Sequence, residues 1–496
     1  MLLPLSVISI DLISDDLLLV ASVLVFFAIM STKVGSRFGV PSLLLFLVLG
    51  MVAGTLGIQF EDYEMAESIG HFAMTIILFS GGLETTIKDI NSVSKPGMLL
   101  STLGVVLTCL LTGTFIYLFV GKMLGPMGSS LLGCMLIATI MSSTDSASVF
   151  SILRGRGMKL RHNLGPMLEF ESGSNDPMAY MLTILLTSYV TSSWEDVQGP
   201  GLLALTGVLA ILVHIVIGYL IGVGVGRLTV LIIQKVKLPG TPLYSILVLS
   251  AAFFASGLAS VCKGNGLLAL YVAAIIIGNK APIPSKRDVL KFFDGMTWLM
   301  QLLMFLMLGI LADPSQMLPE LLPAVLIALF LMLVARPLSV FACLLPFRSI
   351  PFKAKLFTSW VGLRGAGPIL FALYPMVKGV QGASTVFDIV FIITLFSLVF
   401  QGMSLTGLAK KLDLCYPEEP VVETFGMELP EEMGMLRDHI VSEDDLMAGN
   451  TLRGLSLPHG IRVVMVKRDG KFLVPHGSMQ ILPGDHLVIV MGESDD

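Results

Sequence analysis

Runs of about 20 mostly apolar residues recur from about residue 16 to residue 410, separated by short polar breaks. A bilayer core about 30 Å thick is crossed by roughly 20 helical residues, so each run predicts one membrane-spanning helix. About thirteen spans are predicted, near residues 16–31, 39–58, 66–86, 97–121, 128–152, 164–190, 201–232, 242–262, 265–279, 290–312, 318–346, 354–377 and 385–409. The first run follows no basic segment and has no small-residue cleavage site, so it reads as a retained span and not as a signal peptide. Composition agrees: 54% of the 496 residues are hydrophobic and 14% are charged, with a mean hydropathy of +0.86. An all-α polytopic membrane protein is predicted up to residue 411.

Past Lys411 the pattern changes. Residues 412–430, LDLCYPEEPVVETFGMELP, read as a charged linker, and residues 431–496 read as a small β-rich domain. There IRVVMVKR and HLVIVMG alternate as strands, while RDGK and LPGD have the composition of tight turns. Folded turn chemistry points to a regulatory or dimerising module, not an inert cap.

Charge adds an orientation. Lys33 and Arg37, then Lys88 and Lys95, then Arg154, Arg156, Lys159 and Arg161 occupy alternate loops, and the intervening loops carry acidic stretches such as EDYEMAE. Basic loops stay in the cytoplasm, which puts the N-terminus outside and the C-terminus inside and requires an odd number of spans. The five cysteines show neither a disulfide framework nor a metal-ligand spacing, and no cofactor motif or nucleic-acid-binding patch stands out. GVGVG at residues 222–226 follows no strand and reads as close helix packing. His71 and His214 are single histidines on apolar helices and read as packing residues.

One span breaks the apolar pattern. EFESGSNDPM, residues 169–178, puts Glu169, Glu171 and Asp176 in the sixth span. An ionisable group at membrane depth costs about 3 kcal/mol on insertion scales, which makes it a functional-site candidate. Asp176 lies about 12 residues past Leu164, roughly 18 Å along the helix and near the midplane. Ser172 and Asp176 share one helix face, and Glu171 and Asn175 share the adjacent one.

Two other spans supply partners. In IATIMSSTDSASV the hydroxyls Ser142, Ser143 and Thr144 precede Asp145 and compete with helical hydrogen bonding, so a local break is predicted that turns Asp145 toward Asp176. In SWVGLRGAGPIL the glycines and Pro368 around Arg364 predict a second break. A buried guanidinium needs a carboxylate, and Glu171, on the face away from Ser172 and Asp176, is the expected partner of Arg364. Arg336 shows no partner. Glu84, in FSGGLETTIK near the end of span three, reads either as an interfacial charge or as an access or ligand residue, and Glu169 as a funnel charge or a helix-terminus carboxylate. With span one set aside, the remaining twelve divide into two sixes of opposite orientation whose breaks are offset by one helix. Inverted repeats with broken helices at the midplane describe a secondary transporter.

STDSASV, ESGSND and GLRGA, in that order, resemble the Thr-Asp, Glu-Ser-x-x-Asn-Asp and arginine motifs of the cation/proton antiporter superfamily, in its NhaP-type branch, over about residues 16–410. The tail is similar to the C-terminal subdomain of regulators of potassium conductance. Together they resemble the potassium/proton antiporters of cell volume regulation in Gram-negative bacteria, which implies a multi-pass protein of the bacterial inner membrane. By this resemblance Asp176 binds proton and cation, with Asp145, Thr144, Ser172 and Glu84 around it. Asn175 stands where electrogenic relatives carry an aspartate, which implies electroneutral exchange. The family fold implies a dimerising core, hence a homodimer, and the tail implies a regulatory ligand. Relatives of this kind continue into a further cytosolic domain, so a longer chain past Asp496 is expected. Gly173, Ser174 and Pro177 depart from the bulkier, apolar residues of sodium-exchanging relatives, so sodium selectivity is not carried over; the tail resemblance alone favours K+, with Na+ or Rb+ as alternatives.

Burial favours the protonated form of a carboxylate and a bound cation favours the ionised form, so proton and cation compete for one site. Two other functions fit parts of the sequence. A gated potassium channel would need a TVGYG-type filter, and an intramembrane aspartyl protease would need a Gly-x-Gly-Asp sequence in its spans; neither occurs. The chain is therefore expected to be a transporter and not an enzyme. A reporter fused after Lys411 is expected to signal from the cytoplasm, and an extracellular signal would overturn the orientation.

Overall fold

The computed structural model describes residues 8–9, 15–38, 40–60, 62–154, 156–191, 200–284, 286–417, 436–442, 444–446, 449–455, 461–468 and 471–491. The chain divides into two units, Met1–Pro417 and Glu418–Asp496. Residues 418–430 of the expected linker lie outside the described residues.

The first unit is helical. Helices α1 (Asp15–Phe38), α2 (Ser42–Thr55) and α3 (Tyr63–Glu84) lead to α4 (Ile87–Leu99), which runs through a π-helical turn into α5 (Val105–Phe115). Next come the short α6 (Gly125–Ser129), then α7 (Leu131–Ile140), α8 (Ser146–Arg154), α9 (Leu164–Thr191) and α10 (Pro200–Lys235). The second half holds α11 (Thr241–Val261), α12 (Gly266–Lys280), α13 (Lys286–Leu311) and the short α14 (Pro314–Met317). It continues with α15 (Leu321–Phe330), α16 (Arg336–Leu344), α17 (Phe352–Trp360), α18 (Ala366–Val377), α19 (Ala383–Ser397) and α20 (Met403–Lys411). Strands are few: β1 (Ile8–Ser9) pairs in parallel with β2 (Ile58–Gln59), and β3 (Met158–Leu160) pairs antiparallel with β4 (Cys415–Pro417).

Seven helices among the described residues are long and apolar enough to cross a membrane: Tyr63–Glu84, Ile90–Met123, Thr206–Lys235, Thr241–Val261, Lys286–Leu311, Leu321–Leu344 and Ala383–Lys411. Helix α9 has 28 residues but carries Glu169, Glu171 and Asp176. The shorter apolar helices include α7 and α18, each one half of an interrupted pair.

Packing depends on small residues. Gly218, Gly222 and Gly226 sit one turn apart on α10, and a Cβ on any of them would run into Asn265, Ala269 or the Ala273 and Ile276 region of α12. The residues 222–226 stretch is thus a helix-packing stripe. His214 stays within its own helix, its Nδ1 lying 2.6 Å from the Ala210 carbonyl, whereas His71 lies 3.7 Å from Glu67 and packs edge-on against Tyr180.

The described part of the second unit is an antiparallel sheet of β5 (Leu436–Ile440), β6 (Ile461–Arg468), β7 (Lys471–Leu473) and β8 (His486–Met491), in the order β5-β8-β6-β7. Val441, Val466, Ile481, Leu487 and Ile489 form its core. At LPGD, Gly484 has a φ of +87° and the Asp485 N–H donates to the Leu482 carbonyl, a turn with Pro at its second position and a left-handed Gly at its third. The RDGK turn includes two residues outside the described set. Asp485 accepts from Arg468 Nε at 2.8 Å, from Arg468 Nη2 at 2.7 Å and from the Leu482 N–H at 2.8 Å. Burial pushes the Asp485 carboxyl up, but these hydrogen bonds outweigh it and hold the group below its usual 3.8. A depressed carboxyl stabilises the fold above its ordinary value, and that stability is lost as pH falls through the folded value. Hydrogen exchange of the β8 amides, taken relative to its intrinsic rate at each pH, is therefore expected to accelerate as pH falls below 3.8. Arg468→Met is expected to accelerate it at neutral pH, by about 1 to 2 kcal/mol of lost stability.

Candidate ion site

Two helices unwind in the middle of the first unit. Residues 141–145 separate α7 from α8, and residues 361–365 separate α17 from α18. Unwound backbone at membrane depth survives only where its polar groups find partners inside the protein or line a wet cavity. Here each break satisfies the other. The Asp145 N–H donates to the Leu363 carbonyl at 2.8 Å, and Arg364 Nη1 donates to the Ser143 carbonyl at 2.5 Å. Ser397 Oγ accepts the Arg364 N–H at 3.0 Å and donates to Gln401 Oε1 at 2.6 Å, and Gln401 Nε2 donates to the Trp360 carbonyl at 2.9 Å. The crossing is tight: a Cβ on Gly365 would run into the Asp145 carboxylate.

Asp145 caps α8. Its carboxylate accepts the Ser148 N–H at 3.1 Å and the Ser148 hydroxyl, at the helix end where a negative charge is favoured. Arg364 does the converse, placing positive charge at the carbonyl end of α7.

Helix α9 runs beside the first break and is sewn to it. Ser143 Oγ donates to Asp176 Oδ1. Ser172 Oγ donates to the Thr144 carbonyl at 2.9 Å and accepts the Ser146 N–H at 3.1 Å. Asn175 Nδ2 donates to Thr144 Oγ1 at 2.6 Å. The Asp145 and Asp176 carboxylates are close enough for the charge of one to act on the other. A cavity of about 690 Å³ is lined by Ser143, Asp145, Ser172, Asp176, Glu84 and Glu169, among others. Glu84 is exposed at the last position of α3, and Glu169 is partly buried near the start of α9.

The expected pairing of Glu171 with Arg364 does not form. Glu171 Oε1 lies 2.5 Å from Arg336 Nη2, with both side chains at most 4% exposed. The contact is an ion pair outside hydrogen-bonding angles, and Arg336 Nε finds no acceptor among the described residues. Arg364 is still within the field of both, attracted by Glu171 and repelled by Arg336. Arg336, which looked partnerless in the sequence, starts α16 just after a π-helical turn, Leu331–Ala335, and its guanidinium packs over Gly362 in the second break.

Residues 22–411 match the family described as sodium/hydrogen exchanger, transmembrane. The chain belongs to the sodium/hydrogen exchanger family. Residues 436–495 of the exchanger match the TrkA-C domain. It is 36% identical over 482 residues to the K(+)/H(+) antiporter NhaP2 of Shewanella oneidensis, which covers 96% of this chain and 81% of that one. To the K(+)/H(+) antiporter NhaP of Alkalimonas amylolytica it is 36% identical over 492 residues, with 96% and 81% covered. Its fold is similar to that of the sodium proton antiporter MjNhaP1 from Methanocaldococcus jannaschii at pH 8, with a TM-score of 0.65, 22% identity, and 80% of this chain and 99% of that chain covered. The exchanger is an NhaP-type cation/proton antiporter with a mostly helical, multi-pass membrane fold, and its homologues are transporters, not enzymes.

Asp176, Asp145, Thr144, Ser172 and Asn175 meet around the first break, Glu84 reaches the same cavity, and Arg364 braces the backbone between the breaks. Sequence reasoning missed Ser143 as the direct partner of Asp176, although its place in the hydroxyl run beside Asp145 was a usable signal. It singled out Arg336 but not its pairing with Glu171, which no local pattern encodes. Because Glu171 stands near two buried guanidiniums, Glu171→Gln leaves both uncompensated and is expected to cost about 3 to 5 kcal/mol. Arg336→Gln leaves Glu171 facing Arg364 and is expected to cost less. Thermal unfolding in detergent checks the order, and equal or reversed losses would refute it.

Proposed function

We propose that the exchanger trades one monovalent cation, K+ in preference to Na+ or Rb+, for one H+ in an electroneutral cycle, with Asp176 as the carboxylate for which the two compete. One observation carries this reading: Asp176 is partly buried on the wall of the 690 Å³ cavity, hydrogen-bonded by a hydroxyl from an unwound segment, with a second carboxylate, Asp145, beside it. A proton neutralises Asp176 when no cation is there, and a cation displaces the proton when it arrives. With Asp145 in its field, the pair titrates as a unit.

In this reading Ser172, Thr144 and Glu84 surround the ion on its route, and Asn175, Glu171 and Arg364 hold the scaffold. Electroneutrality rests on Asn175, a neutral amide bonded to Thr144 where a second carboxylate would add a charge. K+ is supported by the K(+)/H(+) antiporters at 36% identity and by the TrkA-C match of the tail, for which we propose a regulatory ligand. We further propose thirteen membrane passes, an inverted repeat around the two breaks, an N-terminus outside, a cytoplasmic C-terminus, a homodimer and residence in a bacterial inner membrane. The cavity lining includes Lys33, Glu84, Glu169 and Asp294, toward the helix ends that adjoin the basic loops. That supports an inward-facing state.

Proteoliposomes loaded with K+, Na+, Rb+ or Li+ gradients test the proposal. Cation-dependent proton flux is expected for K+ at a rate indifferent to an imposed membrane potential, and Asp176→Asn is expected to bring it to the empty-liposome background. Wild-type flux in Asp176→Asn would overturn the assignment.

A further inference from the structure

The 690 Å³ cavity stops at one level on three helices. Its lining begins at Met74 on α3, ends at Asp176 on α9 and ends at Pro368 on α18. One turn beyond that level each helix carries an aromatic side chain: His71 on α3, Tyr180 on α9 and Phe371 on α18, with Tyr374 following it. These rings are neighbours in space. The Tyr180 ring centroid lies 4.6 Å from that of His71, 5.3 Å from that of Phe371 and 6.1 Å from that of Tyr374. Phe371 is buried and the other three are partly buried. Tyr180 follows Asp176 by four residues, so the layer begins about 6 Å along the helix from the carboxylate.

Charge reappears on the far side of the layer. Glu67, one turn before His71, holds its Oε1 3.7 Å from His71 Nε2. Lys378, just past the end of α18, holds its Nζ 5.5 Å from the Tyr374 ring centroid and is close enough for its charge to act on Glu67. Four rings thus separate Asp176, at the end of the cavity, from a second set of ionisable groups.

The layer is built to part. His71 comes from α3, whereas Tyr180, Phe371 and Tyr374 come from α9 and α18, the helices that adjoin the two breaks. Among the described residues, none of the hydrogen bonds that secure the breaks involves α3. The contacts across the layer are an edge-on ring pair and two charges in each other's field, not hydrogen bonds, and edge-on ring contacts are individually weak. Next to His71, a Cβ on Gly70 would run into the Leu370 side chain, so the glycine lets α3 close onto α18 at this level.

We infer that His71, Tyr180, Phe371 and Tyr374 are the closed gate of a second access route to Asp176, which opens between α3 and the α9 and α18 pair with Glu67 at its mouth. The inference rests on the cation-exchange reading, because exchange requires Asp176 to face each side of the membrane in turn. Closed, the packed rings leave no passage for a hydrated cation, so an ion released by Asp176 returns to the cavity. Sliding of α9 and α18 along α3 draws Tyr180 away from His71 and opens the path from Asp176 to Glu67.

Zn2+ bridging tests the gate in the full chain reconstituted in proteoliposomes. Tyr180→His sets a second imidazole beside His71, with the Glu67 carboxylate 3.7 Å from the first, and imidazole and carboxylate are the ligands Zn2+ takes. Cation-dependent proton flux through Tyr180→His is expected to fall about 10-fold or more with Zn2+ and to return with EDTA, because a bridged gate holds one state. The wild type and the double variant His71→Ala, Tyr180→His are expected to show no such Zn2+ effect. Undiminished flux in Tyr180→His with Zn2+ bound, measured as an additional equivalent over the double variant, would overturn the gate. Failure of Tyr180→His to bind that equivalent would overturn it too, since the closed layer sets the two rings side by side. If Tyr180→His does not fold or carries no flux of its own, Tyr374→Ala decides. Thinning the layer is expected to add a K+ leak driven by an imposed membrane potential, and a leak at the wild-type level would overturn the gate. A wild type without cation-dependent proton flux would overturn the exchange reading and the gate with it, whereas flux that bound Zn2+ does not slow would overturn the gate alone.

Discussion

Everything in the membrane unit depends on two unwound backbone segments meeting inside the protein, where their polar groups must find partners in one another. Each break exposes the carbonyl end of one half-helix and the N–H end of another. The crossing resolves this internally: Asp145 and Arg364 each use one group to bond the opposite break, and Asp145 also caps α8. Gly365 is what allows the two segments so close. Without that mutual satisfaction the breaks would be costly defects. With it, they hold the Ser143 hydroxyl against Asp176.

Helix α9 serves two purposes on adjacent faces. Ser172 and Asp176 look onto the first break and the cavity, while Glu171 turns to Arg336. Separating the faces keeps the Glu171 and Arg336 ion pair apart from Asp176, the carboxylate proposed to exchange proton for cation. Pro177, one residue past Asp176, leaves the Gly173 carbonyl without its helical donor at the level where Tyr271 approaches. The strand pair β3 and β4 adds a further tie: the segment leaving α20 is bonded to the connection between α8 and α9.

Much of the site was legible because membrane burial makes polar residues conspicuous. Asp176 stood out at mid-span, the SSTD run announced a break, and glycines around Arg364 announced another. The charge pairing was not legible. A 3.6-residue period tells which residues of α9 share a face, but not which neighbouring helix that face meets. Arg336 and Arg364 are both arginines inside apolar runs, and nothing in residue type or spacing tells which of them Glu171 meets.

By itself, then, the amino-acid order determined that the chain is a multi-pass membrane protein and where two of its helices are interrupted, because hydrophobic length, hydroxyl runs and glycines act locally. Tertiary structure alone decided that Glu171 pairs with Arg336, that Ser143 holds Asp176, that Arg364 bonds to a backbone carbonyl, and that Tyr271 lies against Gly173. Those outcomes depend on the crossing of helices far apart in the chain, and side-chain partners at membrane depth are set by which backbones come within about 3 Å of one another, a distance no periodicity encodes.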